Sequence, residues 1–383
     1  MNEEQEKTTA PSPSVGADGE QPISETVSNI PDSAGDYNPA VPDLYSYFRE
    51  MERMSDPSYL YTVTMEDLFE TVYDGRPEII EGLLHTGVYL LSGSPKVGKS
   101  FFMLQMAYHV SMGLPLWGHT VRKGAVLYLA LEDDYQRLQA RLDRMYGVDN
   151  PTRNLHLATC AHKLGEGLEE QLKGFLQDHP DTRLIIVDVL KMIRDDAASY
   201  SYSEDYAVIQ ALREAVTGYP VAMVVVHHNR KEKADDPFEM ISGTNGLFGA
   251  SDGGIVLCKA KRTDRVATLD ITGRDQQDQK LFLQMDMEHL TWELEREEAE
   301  LWKEPPDPLL EEVSKLVTEE QPAWSGTPTE LASLIPGDYT PNGLSMRLNV
   351  RAARLLEGYQ IRYEPIRTHD SRRIKLTLIQ SKA

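Results

Sequence analysis

Short apolar blocks recur between residues 88 and 285, at 88–91, 125–130, 184–187, 221–226 and 254–258, and helical stretches fill the gaps between them. Strands alternating with helices are the pattern of a wound α/β sheet. One of the intervening helices is predicted at 206–216, where Ile209, Leu212 and Val216 stand at helical spacing. Beyond residue 258 the rhythm changes to two close strands, 266–272 and 281–285, which read as an antiparallel pair. Ahead of the first strand, helices are predicted around 44–54 and 65–73. Residues 293–304 are charge-dense and read as a helix, which Pro305, Pro306 and Pro308 break. The last 75 residues then read as a helix at 309–317, a second starting near Thr329, a third at 342–356, and two strands at 360–365 and 373–379. That order in so small a segment is the winged-helix pattern.

Composition divides the chain further. Residues 1–43 hold nine carboxylates and one lysine, with much Pro, Ser and Gly and few large apolar side chains. Such a segment buries too little surface to offset the entropy of ordering it, so it is expected to be disordered. The reading is therefore a disordered tail at 1–43, an ATPase domain at 44–300, a linker at 301–308 and a winged-helix-like domain at 309–383. A net charge of −22 argues against a protein that coats nucleic acid with its whole surface, yet residues 340–383 carry nine Lys and Arg against three carboxylates. The longest apolar run, 221–226, is strand-sized and far short of the roughly 20 residues that span a bilayer. The first residues show neither a basic patch nor an apolar core, so no secretory signal is expected. Cys160 and Cys258 both read as reduced core residues, and with these features point to the cytoplasm.

The chemistry is concentrated in one loop. Gly93, Ser94, Pro95, Lys96, Val97, Gly98, Lys99 and Ser100 match G-x-x-x-x-G-K-[ST], after an apolar strand and at the start of a helix. Glycines let backbone N–H groups curl around a phosphate, and the helix N-terminus adds partial positive charge. Lys99 would reach the β- and γ-phosphates of ATP, and Ser100 would ligate Mg²⁺. A second metal ligand is expected where a buried strand ends, and Asp188 follows the apolar run 184–187. Hydrolysis also needs a carboxylate to orient water. The strand at 125–130 leads to Glu132, Asp133 and Asp134; Glu132 is the first choice, and helix capping explains whichever acids are not catalytic. His227 and His228 end the strand at 221–226, where His228 could contact the γ-phosphate. Lys261, Arg262 and Arg274 are open alternatives for a cation donated to a neighbouring subunit's site, with Arg262 preferred.

With these pieces in place the chain resembles the RepA-type branch of RecA-like ATPases, the AAA_25 group found on mobile genetic elements. The likeness rests on residues 93–100, 128–133, 184–188, His227 and His228 with Ser242 and Gly243, and the approach at 80–84. It covers about 60–290. Trp324 to Leu331 and Pro341 to Leu344 are similar to the small C-terminal domain of many such proteins. The resemblance implies a RecA-like sheet, ATP hydrolysis at subunit interfaces and a hexameric ring. It also implies a helicase-like role in DNA replication on single-stranded DNA, or, alternatively, remodelling of protein partners.

Overall fold

The computed structural model describes residues 53, 56–73, 75–194, 201–229, 236–241, 245–261, 263–299, 307–367 and 372–379. The acidic tail at 1–43, nearly all of the helix expected at 44–54 and most of the linker at 301–308 lie outside them. Contacts divide the chain into two units, Met1–Leu68 with Arg367–Ser371, and Phe69–Ile366 with Arg372–Ala383. Thr64 caps helix α1 (Met65–Glu70), whose first four residues belong to the first unit: its hydroxyl accepts from the Asp67 N–H at 3.1 Å. That helix stops three residues short of the expected end.

The second unit is built on one nine-stranded sheet. Strands β3 (Gly87–Gly93), β4 (Ala125–Ala130), β5 (Leu155–Ala158), β6 (Thr182–Asp188), β7 (Ala222–Val226) and β8 (Gly253–Cys258) are parallel, in the order β8-β3-β7-β6-β4-β5. A hairpin of β1 (Glu78–Ile80) and β2 (Leu84–His85) precedes them. Beyond β8 the sheet continues antiparallel through β9 (Val266–Gly273), β10 (Gln276–Met285) and β11 (Trp292–Ala299). Alternate residues of the parallel strands enter two cores. Leu91, Tyr128, Ile186 and Val224 face one, which α2 (Lys99–Met112) covers. Leu90, Leu129, Val187 and Val225 face the other, beneath α4 (Leu168–Asp178) and α6 (Tyr202–Val216). Strands β3, β4, β6, β7 and β8 are buried on both sides, which is why they are largely apolar in sequence, whereas β5 at the edge is half-buried. Helix α3 (Tyr135–Tyr146) lies between β4 and β5 in the chain, and the short helices α5 (Leu190–Ile193) and α7 (Asn245–Ala250) follow β6 and precede β8.

The chain from residue 307 holds α8 (Pro308–Ser314), β12 (Ala323–Gly326), α9 (Pro328–Leu334), α10 (Pro341–Val350), α11 (Ala352–Tyr359), β13 (Ile361–Arg367) and β14 (Arg372–Leu378). Leu310, Leu331, Leu348, Leu355 and Leu376 form its core, under a sheet of order β12-β14-β13.

Three expectations are corrected. The segment that begins at 293 is not helical: β11 pairs antiparallel with β10, Trp292 is buried, and Glu293 and Glu295 face solvent. Its charges line the outer edge of the sheet, where they discourage further strand pairing. The helix expected at 342–356 is two helices, because Arg351 leaves helical geometry (φ −104°, ψ 10°) and its Nε meets Asp307 Oδ2 at 2.9 Å. Cys160 is exposed rather than in the core, and Cys258 is half-buried; both are free thiols. Strands β5 and β12 have too short an apolar pattern to stand out in the sequence.

Candidate active site at the carboxyl edge of the sheet

Because β3, β7, β6 and β4 are parallel neighbours, their carboxyl ends open on one edge, the usual site position in an open α/β sheet. Strand β3 ends at Gly93 and enters the loop. A Cβ on Gly93 would stand 2.7 Å from the Leu257 carbonyl of β8, so only glycine permits that close approach. Lys96 (φ 65°) and Gly98 (φ 114°) are both left-handed and curl the loop before α2 begins at Lys99. A loop curled in this way and running straight into a helix N-terminus is the arrangement an anion cradle requires.

Lys99 is 6% exposed, and its Nζ donates to the carbonyls of Gly93 (2.7 Å) and Ser94 (3.2 Å). Burial pulls its pKa down to about 8, while the carboxylates of Asp188 and Glu132 draw it back up. Asp188 ends β6 and Glu132 follows the end of β4 by two residues, so two neighbouring strands deliver the acids that act on the ammonium. Asp188 ends β6, and its Oδ2 accepts from the Tyr128 hydroxyl at 2.8 Å. Tyr128 is a β4 residue and fully buried, so it fixes the carboxylate from beside the strand.

The three consecutive acids after β4 have different surroundings. Asp133 is paired with Arg137 (3.0 Å) and Arg141. Asp134 caps α3 by accepting from the Arg137 N–H. Glu132 is exposed and makes no hydrogen bond or ion pair among the described residues. On the next strand, the His227 N–H continues the ladder to the Leu91 carbonyl at 2.8 Å. His228 follows, with a buried Nδ1 that has no hydrogen-bond partner among the described residues. Burial and, after it, the Lys99 charge hold His228 below the usual imidazole range, against the pull of Glu132 and Asp188. Its neutral ring belongs to the same electrostatic cluster as the lysine and both acids. Ser92 donates to Asn229 Oδ1 and ties β3 to the end of β7.

The cations proposed for a neighbouring site separate. Lys261 is exposed, follows the carboxyl end of β8, and takes Asp264 Oδ2 on its backbone N–H at 2.8 Å. Arg274 follows β9 at the far end of the sheet from Gly93, with its guanidinium on the Gly249 carbonyl at 3.0 Å. Arg262 lies outside the described residues, as do Ser242 and Gly243. Sequence reasoning missed Tyr128, Arg137 and Arg141 as supports, and missed Trp292, whose indole N–H points to the Gly98 carbonyl at 3.4 Å. For Tyr128 the sequence held one cue, a hydroxyl-bearing side chain inside the aliphatic run 125–130.

The donor set suits a nucleotide and its metal. Tyr128 engages one oxygen of Asp188 and leaves the other without a hydrogen bond among the described residues. The Ser100 hydroxyl, at the start of α2, is likewise uncommitted among them. An oxygen pair beside a phosphate cradle is what Mg²⁺ takes.

The fold and this edge define a P-loop nucleotide-binding protein. Residues 54–234 match the family model described as AAA domain, AAA_25, and the match supports an AAA-like P-loop ATPase family. It spans just under half the chain, contains the loop, Glu132, Asp188 and His228, and ends before Lys261. No curated protein matches the chain. Among the described residues, no helix is long and apolar enough to cross a membrane.

Proposed function

We propose that this chain hydrolyses ATP as a RecA-like, helicase-like replication protein of a mobile element, acting on single-stranded DNA. The observation that carries the reading is that Glu132, alone among the three acids after β4, makes no hydrogen bond or ion pair among the described residues while it acts on the Lys99 charge. In this mechanism the loop N–H groups receive the phosphates. Lys99 exchanges the carbonyls of Gly93 and Ser94 for phosphate oxygens, which favour its charged form further. Ser100 and Asp188 would hold Mg²⁺, which when bound neutralises phosphate charge. Glu132 orients the attacking water by accepting its hydrogen bond, and His228, held neutral, contacts the γ-phosphate and senses its loss.

A cation from a second copy, Arg262 in preference to Lys261 or Arg274, would complete the site and make activity a property of a ring. An Arg262→Ala chain mixed with a Lys99→Ala chain should then recover hydrolysis that neither shows alone. ATPase rate with and without single-stranded DNA, measured beside mass by light scattering, tests the main reading. Stimulation by the strand in an assembled species is expected; an active monomer indifferent to DNA would refute it.

The alternative, remodelling of protein partners, draws on the C-terminal segment. Arg351 and Arg354 face Asp307 at 2.9 and 3.9 Å, and Arg372 bonds Asn342 and Glu70, both at 2.9 Å. Cations engaged within the chain are less available to phosphates. DNA-independent ATPase activity stimulated by a protein would favour this second reading.

A further inference from the structure

Trp292, the first residue of β11, is 1% exposed and is held at each of its polar atoms. Its backbone N–H donates to Gln105 Oε1 at 2.8 Å. Its carbonyl accepts from Gln105 Nε2 at 2.9 Å and from Trp117 Nε1 at 2.7 Å. Gln105 is a buried residue of α2, so the edge strand is fastened to the very helix that the phosphate loop opens. The indole then reaches the loop itself. Its N–H points to the Gly98 carbonyl at 3.4 Å, and its Cζ2 would stand 2.8 Å from a Cβ on Gly98. Gly98 therefore has two reasons to be glycine: its left-handed φ and this ring. The same ring carries the Lys259 ammonium, 5.1 Å from its centroid. Lys259 follows β8, two residues before Lys261, outside the phosphate loop.

A single rigid ring thus touches the loop backbone and the segment after β8, and nothing in phosphate binding by Lys99, Ser100 or Asp188 calls for it. When Lys99 leaves the loop carbonyls for a phosphate, the loop around Gly98 cannot rearrange without moving the indole or breaking its bond. Any such shift alters the ring face on which Lys259 rests. We propose that Trp292 is a positioning residue that couples nucleotide occupancy of the loop to the segment carrying Lys259 and Lys261. The proposal rests on the ATPase reading and adds to it a route from the phosphates to the part of the chain offered to a neighbouring subunit.

The test is a double-mutant cycle on the full chain with Trp292→Phe and Lys259→Met. Trp292→Phe keeps an aromatic ring in the core but removes the N–H and weakens the cation contact. A non-hydrolysable ATP analogue should change the tryptophan emission of the wild type. That change should disappear in Trp292→Phe and shrink in Lys259→Met. Each single variant should lower kcat by roughly fivefold with the analogue's affinity held within about twofold, and the double variant should be no slower than the slower single. A purely structural role would instead shift melting temperature and affinity together. An emission change that survives in Trp292→Phe, or kcat losses that multiply in the double variant, would overturn the coupling. If Trp292→Phe fails to fold, Lys259→Met decides through emission, since an unaltered response there sinks the proposal. A wild type without ATPase activity would remove the functional reading while leaving the emission arms to judge the coupling. An active wild type with both variants unaffected would remove only the coupling.

Discussion

The phosphate-loop edge and the C-terminal segment are both rich in charge, and they use it in opposite ways. At the edge, a buried lysine feels two carboxylates, Asp188 at the end of β6 and Glu132 just after β4, and Glu132 makes no hydrogen bond or ion pair among the described residues. In the C-terminal segment, Arg351 and Arg372 are met by Asp307 and Glu70 at 2.9 Å. The first arrangement keeps charge available for something that arrives; the second uses it to join elements of the same chain. Counting basic residues therefore locates where charge is, whereas pairing decides whether it can act on a ligand.

The sharpest way to break this contrast is Lys99→Ala. Without the ammonium the phosphates lose their main cation, and hydrolysis should fall by about 10²–10³ or more in a phosphate-release assay. Wild-type turnover in that variant would remove the loop assignment. Glu132→Gln should follow, with turnover lowered by roughly 10²–10³ while ATP still binds, measured by single-turnover kinetics and calorimetry. Its control is Asp133→Asn, which loosens the contacts to Arg137 and Arg141 and should lower melting temperature more than rate. A reversal of those two results would transfer the water-orienting role to Asp133.

A pH profile sharpens the same edge. The free enzyme holds Lys99 near a pKa of about 8 because burial disfavours its charge. Raising pH through that value removes the proton that phosphate binding needs, so kcat/KM should fall about tenfold per pH unit above it. With phosphate beside the ammonium the charged form is favoured again, and kcat should hold to higher pH. A kcat/KM flat to pH 10 would contradict the desolvated lysine.

The smallest effects belong to the C-terminal segment. Arg351→Ala should cost about 1 kcal/mol in stability, read by denaturant titration, and leave low-salt DNA affinity unchanged. Arg373 is exposed, and Arg373→Ala should weaken low-salt binding of single-stranded DNA by a few-fold and reduce the salt slope by about one. Equal losses of binding in both variants would erase the distinction between paired and available charge.

The sequence by itself was enough for the phosphate loop and the buried strands around it. The loop from Gly93 to Ser100, its preceding strand and its following helix lie within some 25 consecutive residues, and each is specified by neighbours in the chain. The strands β3, β4, β6, β7 and β8 were legible for a related reason: burial on both faces leaves an unbroken apolar run. What the sequence left open depends on contacts that form only in the fold. Glu132, Asp133 and Asp134 are alike in sequence, and only the placement of Arg137, Arg141 and the start of α3 tells them apart. The charged stretch after Trp292 satisfies a helix as readily as a strand. It is a strand because β10 offers it a ladder and Gln105, 187 residues earlier, grips its first peptide. Local propensity is weak where charge dominates, so long-range hydrogen bonds and burial decide the conformation there.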